Sequence, residues 1–81
     1  MKTLHIVRKT NDPLAQEAIA QDRQAAVLLI QDGVFAKGPF PSETYACRED
    51  LTARGIASPH PAVDYAEIAR LIAEHDRVIT W

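Results

Sequence analysis

The sequence predicts a small three-layer α/β/α domain built on a mainly parallel sheet of four to five strands. Three observations lead there. Ala25-Ala26-Val27-Leu28-Leu29-Ile30 is a continuous apolar run between polar and charged residues, the pattern of a parallel strand buried on both faces. Shorter apolar segments at Thr3–Val7, Thr44–Cys47 and Val78–Trp81 alternate with helical patterns. The resulting β-α-β-α-β-α-β order argues for right-handed crossovers with helices on both sides of the sheet.

Each element has its own local reason. Thr3–Val7 opens the chain as an apolar strand. Asn11-Asp12-Pro13 is a helix start, with Asp12 as N-cap and Pro13 at the first helical position. Leu14, Ala15, Ala18 and Ile19 supply its apolar face, and the helix fades near Asp22-Arg23. Asp32-Gly33 ends the second strand, and Val34-Phe35-Ala36-Lys37 can make one short helical turn. Gly38-Pro39-Phe40-Pro41 is a stiff connection leading through Ser42 to the third strand at Thr44–Cys47. A helix follows from Arg48 to Arg54, with Gly55 where a left-handed residue is wanted.

Ser58-Pro59-His60-Pro61 reads as a loop, since two prolines exclude helix. Asp64-Tyr65-Ala66-Glu67 is an acidic capping box opening the last helix. Tyr65, Ile68, Leu71, Ile72 and His75 share one face of it at spacings of three and four. Val78–Trp81 is the closing strand.

Length and composition bound the function. The 81 residues make one domain, 47% hydrophobic and 25% charged, which is globular composition. A net charge of −2 gives no electrostatic footprint for direct nucleic-acid binding. The single cysteine cannot form an internal disulfide, and no Cys/His set has zinc spacing, so neither metal nor other cofactor is expected. The longest apolar run is far short of the ~20 residues that cross a bilayer, and the N-terminus lacks the features of a signal peptide. A soluble cytoplasmic protein is expected.

The chemistry-bearing residue is Cys47, at the junction of the third strand and the following helix. In parallel α/β sheets this edge is where ligands gather. The alternation places Arg8 and Lys9, Gln31 and Asp32, and Cys47 along it. Helix N-terminal amides and Arg48 favour a reactive thiolate, whereas Glu49 and Asp50 oppose it. The residues alone leave two readings open, a reactive thiol and a packed strand-end cysteine. His5 reads as a satisfied core or edge histidine, His60 as a loop residue, and His75 as part of the apolar helix face. The serines, Ser42 and Ser58, both fall in loops, so no Ser-His-Asp constellation exists. Gly33, Gly38 and Gly55 make no phosphate-binding loop. Phe35 and Tyr65 are core residues or interface anchors, and Trp81 either caps its own sheet or packs across a subunit interface.

Several stretches taken together resemble the DsrE/DsrF/DsrH superfamily, closest to its DsrH/TusB branch. They are Leu28-Leu29-Ile30-Gln31-Asp32-Gly33-Val34, Tyr45-Ala46 with Glu49-Asp50-Leu51 and Ala53-Arg54-Gly55, Val63-Asp64-Tyr65, and the strand ending in Trp81. The resemblance implies a DsrE-like, Rossmann-like fold and a subunit of a cytoplasmic sulfur relay. In such relays cysteine persulfides pass between proteins, toward 2-thiolation of the tRNA wobble uridine or in sulfur oxidation. The implied partners are TusC/TusD-like or DsrE/DsrF-like subunits, persulfide donors and acceptors, or further copies of the chain. TusB-like chains commonly carry an aliphatic residue where this one has Cys47. The sulfur-carrying D-type paralogues have their cysteine at the start of a helix that closes on Arg-Gly, as Cys47 and Arg54-Gly55 do here.

The leading expectation is therefore a sulfur-relay protein with Cys47 as persulfide carrier, supported by Asp32, Lys9 and Arg48. Such a protein is a carrier or accessory subunit rather than an enzyme with turnover of its own. The rival is a structural subunit in which Cys47 is inert. A stand-alone thiol oxidoreductase is weaker, because the chain has no resolving cysteine.

Overall fold

The computed structural model describes residues 1–41 and 43–81, so the Ser42 expectation lies outside the described residues. Among the described residues there are five strands: β1 (Thr3–Val7), β2 (Ala25–Leu29), β3 (Thr44–Cys47), β4 (Ala62–Val63) and β5 (Arg77–Thr80). Three α-helices connect them, α1 (Pro13–Ala20), α2 (Arg48–Arg54) and α3 (Tyr65–Glu74), with a 3-10 helix over Gln31–Phe35. The sheet is parallel throughout, in the order β4-β3-β2-β1-β5. The steps from β1 to β4 all run one way across the sheet, and the return to β5 runs the other. Right-handed crossovers then require α1 and α2 on one face and α3 on the opposite face.

The core agrees with that geometry. On one face Ile19 of α1 and Leu51 of α2 pack with Val7, Val27, Leu29 and Ala46. On the other, Ile68 and Leu71 of α3 pack against Leu4, Ile6, Ala26, Leu28 and Val63. Every residue of β2 is buried, as its unbroken apolar run requires, and so is every residue of β1, Thr3 and His5 included. The caps form as their sequences dictate. Asp12 accepts from the Ala15 amide at 3.1 Å, and Asp64 and Glu67 exchange both bonds of their capping box. Gly55 closes α2 at φ 63°.

Two expectations need correction. Leu14 is 72% exposed rather than inward-facing, because Ala15 and Ile19 alone fill the space under α1. The short turn begins at Gln31, not Val34, since the Gly33 amide already donates to the Ile30 carbonyl at 2.8 Å; Gln31 itself has a left-handed φ of 51°. Ala62-Val63, directly after Pro61, pairs with β3 and supplies the fifth strand of the four to five expected. Tyr65 and Phe35, expected as core residues or interface anchors, are exposed and so are not core residues. Among the described residues no helix is long and apolar enough to cross a membrane.

Candidate functional site

The last residue of β3 is Cys47, and α2 starts at the next position. Strand alternation sends its side chain to the α3 face of the sheet, opposite to Ala46. The residue is only 2% exposed. Its thiol donates to the Glu49 carboxylate, with Sγ to Oε1 at 3.7 Å. Burial pushes the Cys47 thiol above the usual range, and the Asp50 carboxylate adds to this. Amides of Asp50 and Glu49 pull the other way without reversing the direction.

Beside the thiol, a cleft of about 360 Å³ separates the sheet from α3. Its walls are mostly apolar, from Ile6, Leu28, Ile30, Ile68 and Ile72, with Gln31, Asp50 and Tyr65 as polar members. The acidic cluster reaches the Tyr65 hydroxyl too. Partial desolvation pushes that group up, followed by the charges of Cys47, Glu49 and Asp50.

A polar corner adjoins the cleft. The left-handed backbone of Gln31 costs on the order of 1 kcal/mol in a residue with a Cβ. Its amide donates to Asp50 Oδ2 at 2.7 Å, a charge-assisted bond that offsets such strain. Asp50 Oδ1 also pairs with Arg54 at 3.3 Å, and Arg54 reaches Asp32 at 3.1 Å. Gly33 lets the 3-10 helix lie directly on the end of β1. A Cβ there would stand 2.0 Å from the Val7 carbonyl oxygen.

The predicted site residues therefore separate. Asp32 pairs with Arg54, and Lys9 has Asp12 as its partner at 3.8 Å. Arg48 is exposed. The residues that do surround the thiol and its cleft are Glu49, Asp50, Gln31 and Tyr65. The i,i+4 spacing of Asp50 and Arg54 was a readable signal for part of this network. The link from Asp50 to Gln31 had none.

His5 is buried on the opposite face and fully bonded. The Trp81 indole N–H donates to its Nδ1 at 3.2 Å, which leaves the proton on Nε2 for Asp22 at 2.9 Å. The two rings stack with 11° between their planes. Trp81 thus caps its own sheet, one of the two placements expected for it. His60 meets Phe40 edge-on, and His75 Nδ1 bonds to the Leu71 carbonyl.

A family model described as DsrH like protein matches residues 12–78. No curated protein gives a significant match. The matched span runs from the N-cap of α1 into β5, and so includes the Gln31–Gly33 corner, Cys47 and the whole of α2 and α3. By this match the chain belongs to the DsrH-like family.

Proposed function

We propose that the protein is a subunit of a cytoplasmic sulfur relay, working with TusC/TusD-like or DsrE/DsrF-like chains, and that it contributes a binding surface rather than a sulfur-carrying thiol. The relay passes persulfide sulfur toward tRNA wobble-uridine 2-thiolation or serves sulfur oxidation. Family membership supports the relay role. The state of Cys47 carries the reading of its part in that relay. Attack on a persulfide needs a thiolate. Here the thiol is 2% exposed, is pushed up by burial and faces the Glu49 carboxylate. Arg54, at the far end of α2, is held by Asp32 and Asp50 instead.

A second reading, Cys47 as carrier, is favoured by the cleft that leads to it. In that case the Cys47 thiolate attacks the outer sulfur of a donor persulfide, the donor S–S bond breaks, and the donor leaves as thiolate. Cys47 then holds the sulfur as a persulfide until an acceptor thiolate attacks it.

Intact-mass measurement after incubation with excess persulfide donor separates the two. The expected result is no added sulfur on native wild-type protein, with alkylation by iodoacetamide slow until well above the ordinary thiol pKa of about 8.5. One added sulfur atom on the wild type, absent from Cys47→Ala, would establish the carrier reading and refute the first. In a reconstituted relay, Cys47→Ala is expected to support full transfer.

A further inference from the structure

The turn after β2 carries the only Asp-Gly step in the chain, Asp32-Gly33. Such a step can react with itself. A glycine leaves its backbone nitrogen unshielded and free to rotate, and closing that nitrogen on the aspartate Cγ makes a five-membered ring. The Asp32 side chain is exposed, so water reaches it. Gln31, immediately before it, holds a left-handed φ of 51°, which strains the same turn.

Native contacts oppose the closure. The 3-10 geometry of Gln31–Phe35 turns the Gly33 N–H back onto the Ile30 carbonyl, at 2.8 Å. Thr10 Oγ1 donates to the Asp32 carbonyl oxygen at 3.2 Å. Arg54 grips the Asp32 carboxylate, with Nε and Nη2 each 3.1 Å from Oδ1. The carboxylate is thereby tied to α2 and cannot swing over the Gly33 nitrogen.

We propose that Asp32-Gly33 is a latent isoaspartate site that Arg54, reaching back from the far end of α2, keeps closed. When the turn opens, the Gly33 nitrogen attacks Asp32 Cγ. The N–Cγ bond forms, the amide proton and the carboxyl hydroxyl leave as water, and a succinimide results. Water then opens the ring at one of its C–N bonds. Cleavage at Cγ restores aspartate. Cleavage at the backbone carbonyl carbon leaves the chain running through Cβ and Cγ, as isoaspartate. The water released is the water consumed, and nothing is oxidised or reduced. The product does not fit the native turn, because it adds a methylene to a backbone that already lies against β1. A Cβ on Gly33 would stand 2.0 Å from the Val7 oxygen. Isomerisation therefore lifts the turn off β1 and takes with it Gln31, which borders the Cys47 cleft.

The inference is independent of the relay reading and involves neither sulfur nor a partner chain. Its test is incubation of the full chain in warm neutral buffer for weeks, followed by peptide mapping with a fragmentation method that separates isoaspartate from aspartate. Native wild type is expected to isomerise at Asp32 at least about tenfold more slowly than the same chain held unfolded in guanidinium chloride. Arg54→Gln keeps a good helix former at a partly exposed position, and circular dichroism checks its fold. It is expected to isomerise about fivefold faster than wild type, the factor that its lost ion pairs are worth. Asp64→Ala loses the cap of α3 and so destabilises the fold away from the clamp; it is expected to keep the wild-type rate. Native wild type isomerising as fast as the unfolded chain overturns the proposal. So does Arg54→Gln no faster than wild type, or Asp64→Ala as fast as Arg54→Gln.

Discussion

Replacing Gly33 by alanine tests the joint that seats the site. The added Cβ would lie 2.0 Å from the Val7 carbonyl oxygen and 2.7 Å from its carbon. Both obstacles are backbone, so no rotamer change relieves the clash. The 3-10 helix and the end of β1 must move apart by more than an ångström. That movement strains the bond from the Ile30 amide to the same Val7 oxygen, now 3.0 Å. Overpacking costs about 1–3 kcal/mol, and a lost hydrogen bond about 1 kcal/mol. The reduced freedom of the unfolded chain returns about 0.4–1 kcal/mol. The balance is a loss of about 1–3.6 kcal/mol, centred near 2, or a fall in Tm on the order of 10–20 °C for a domain of this size. Urea unfolding followed by circular dichroism measures it as a lower midpoint at unchanged slope. Gly55→Ala is the control, since at φ 63° nothing lies within 4 Å of its Cβ. There only the left-handed backbone is penalised, by about 1–2 kcal/mol. Gly33→Ala as stable as wild type, or less harmful than Gly55→Ala, would refute the reasoning.

One further outcome concerns the His5 cluster. The Asp22 carboxyl is held below its usual range, first by its hydrogen bond with His5. Its contribution to stability is therefore present above its unfolded pKa of about 3.9 and is lost as pH falls through the lower folded value. The Tm advantage of wild type over Asp22→Asn is thus expected to be full near neutrality and to vanish in strong acid; a gap independent of pH would contradict this.

Much of the fold was legible because local chemistry wrote it. The run from Ala25 to Ile30, the Asp12-Pro13 start, the Asp64–Glu67 box and Gly55 each specify one element through a single short-range mechanism. Elements decided by distant partners were not legible in this way. Ala62-Val63 is too short to show alternation and becomes a strand only by pairing with Ala46 and Cys47. Leu14 looks inward by periodicity, yet Ala15 and Ile19 suffice beneath α1. At the site, the position of Cys47 could be read, but its surroundings could not. Asp50 is nineteen residues from Gln31 in sequence, and no periodic pattern signals their bond. The strained φ of Gln31 was equally hidden, because glutamine rarely adopts it.

The position of β1 between β2 and β5 governs the order of assembly. Strands β1 to β4 can join as successive crossover units, each closing a modest loop. The pairing of Thr3 with Arg77 closes nearly the whole chain, and loop closure of that span carries the largest entropic cost. Until β5 docks, β1 offers one bare edge of five otherwise buried residues. Such an edge is a template for any unpaired strand nearby. The nascent chain is consequently most prone to aggregation in the interval before its final strand arrives, and a chaperone that shields strand edges would act on this protein at that step.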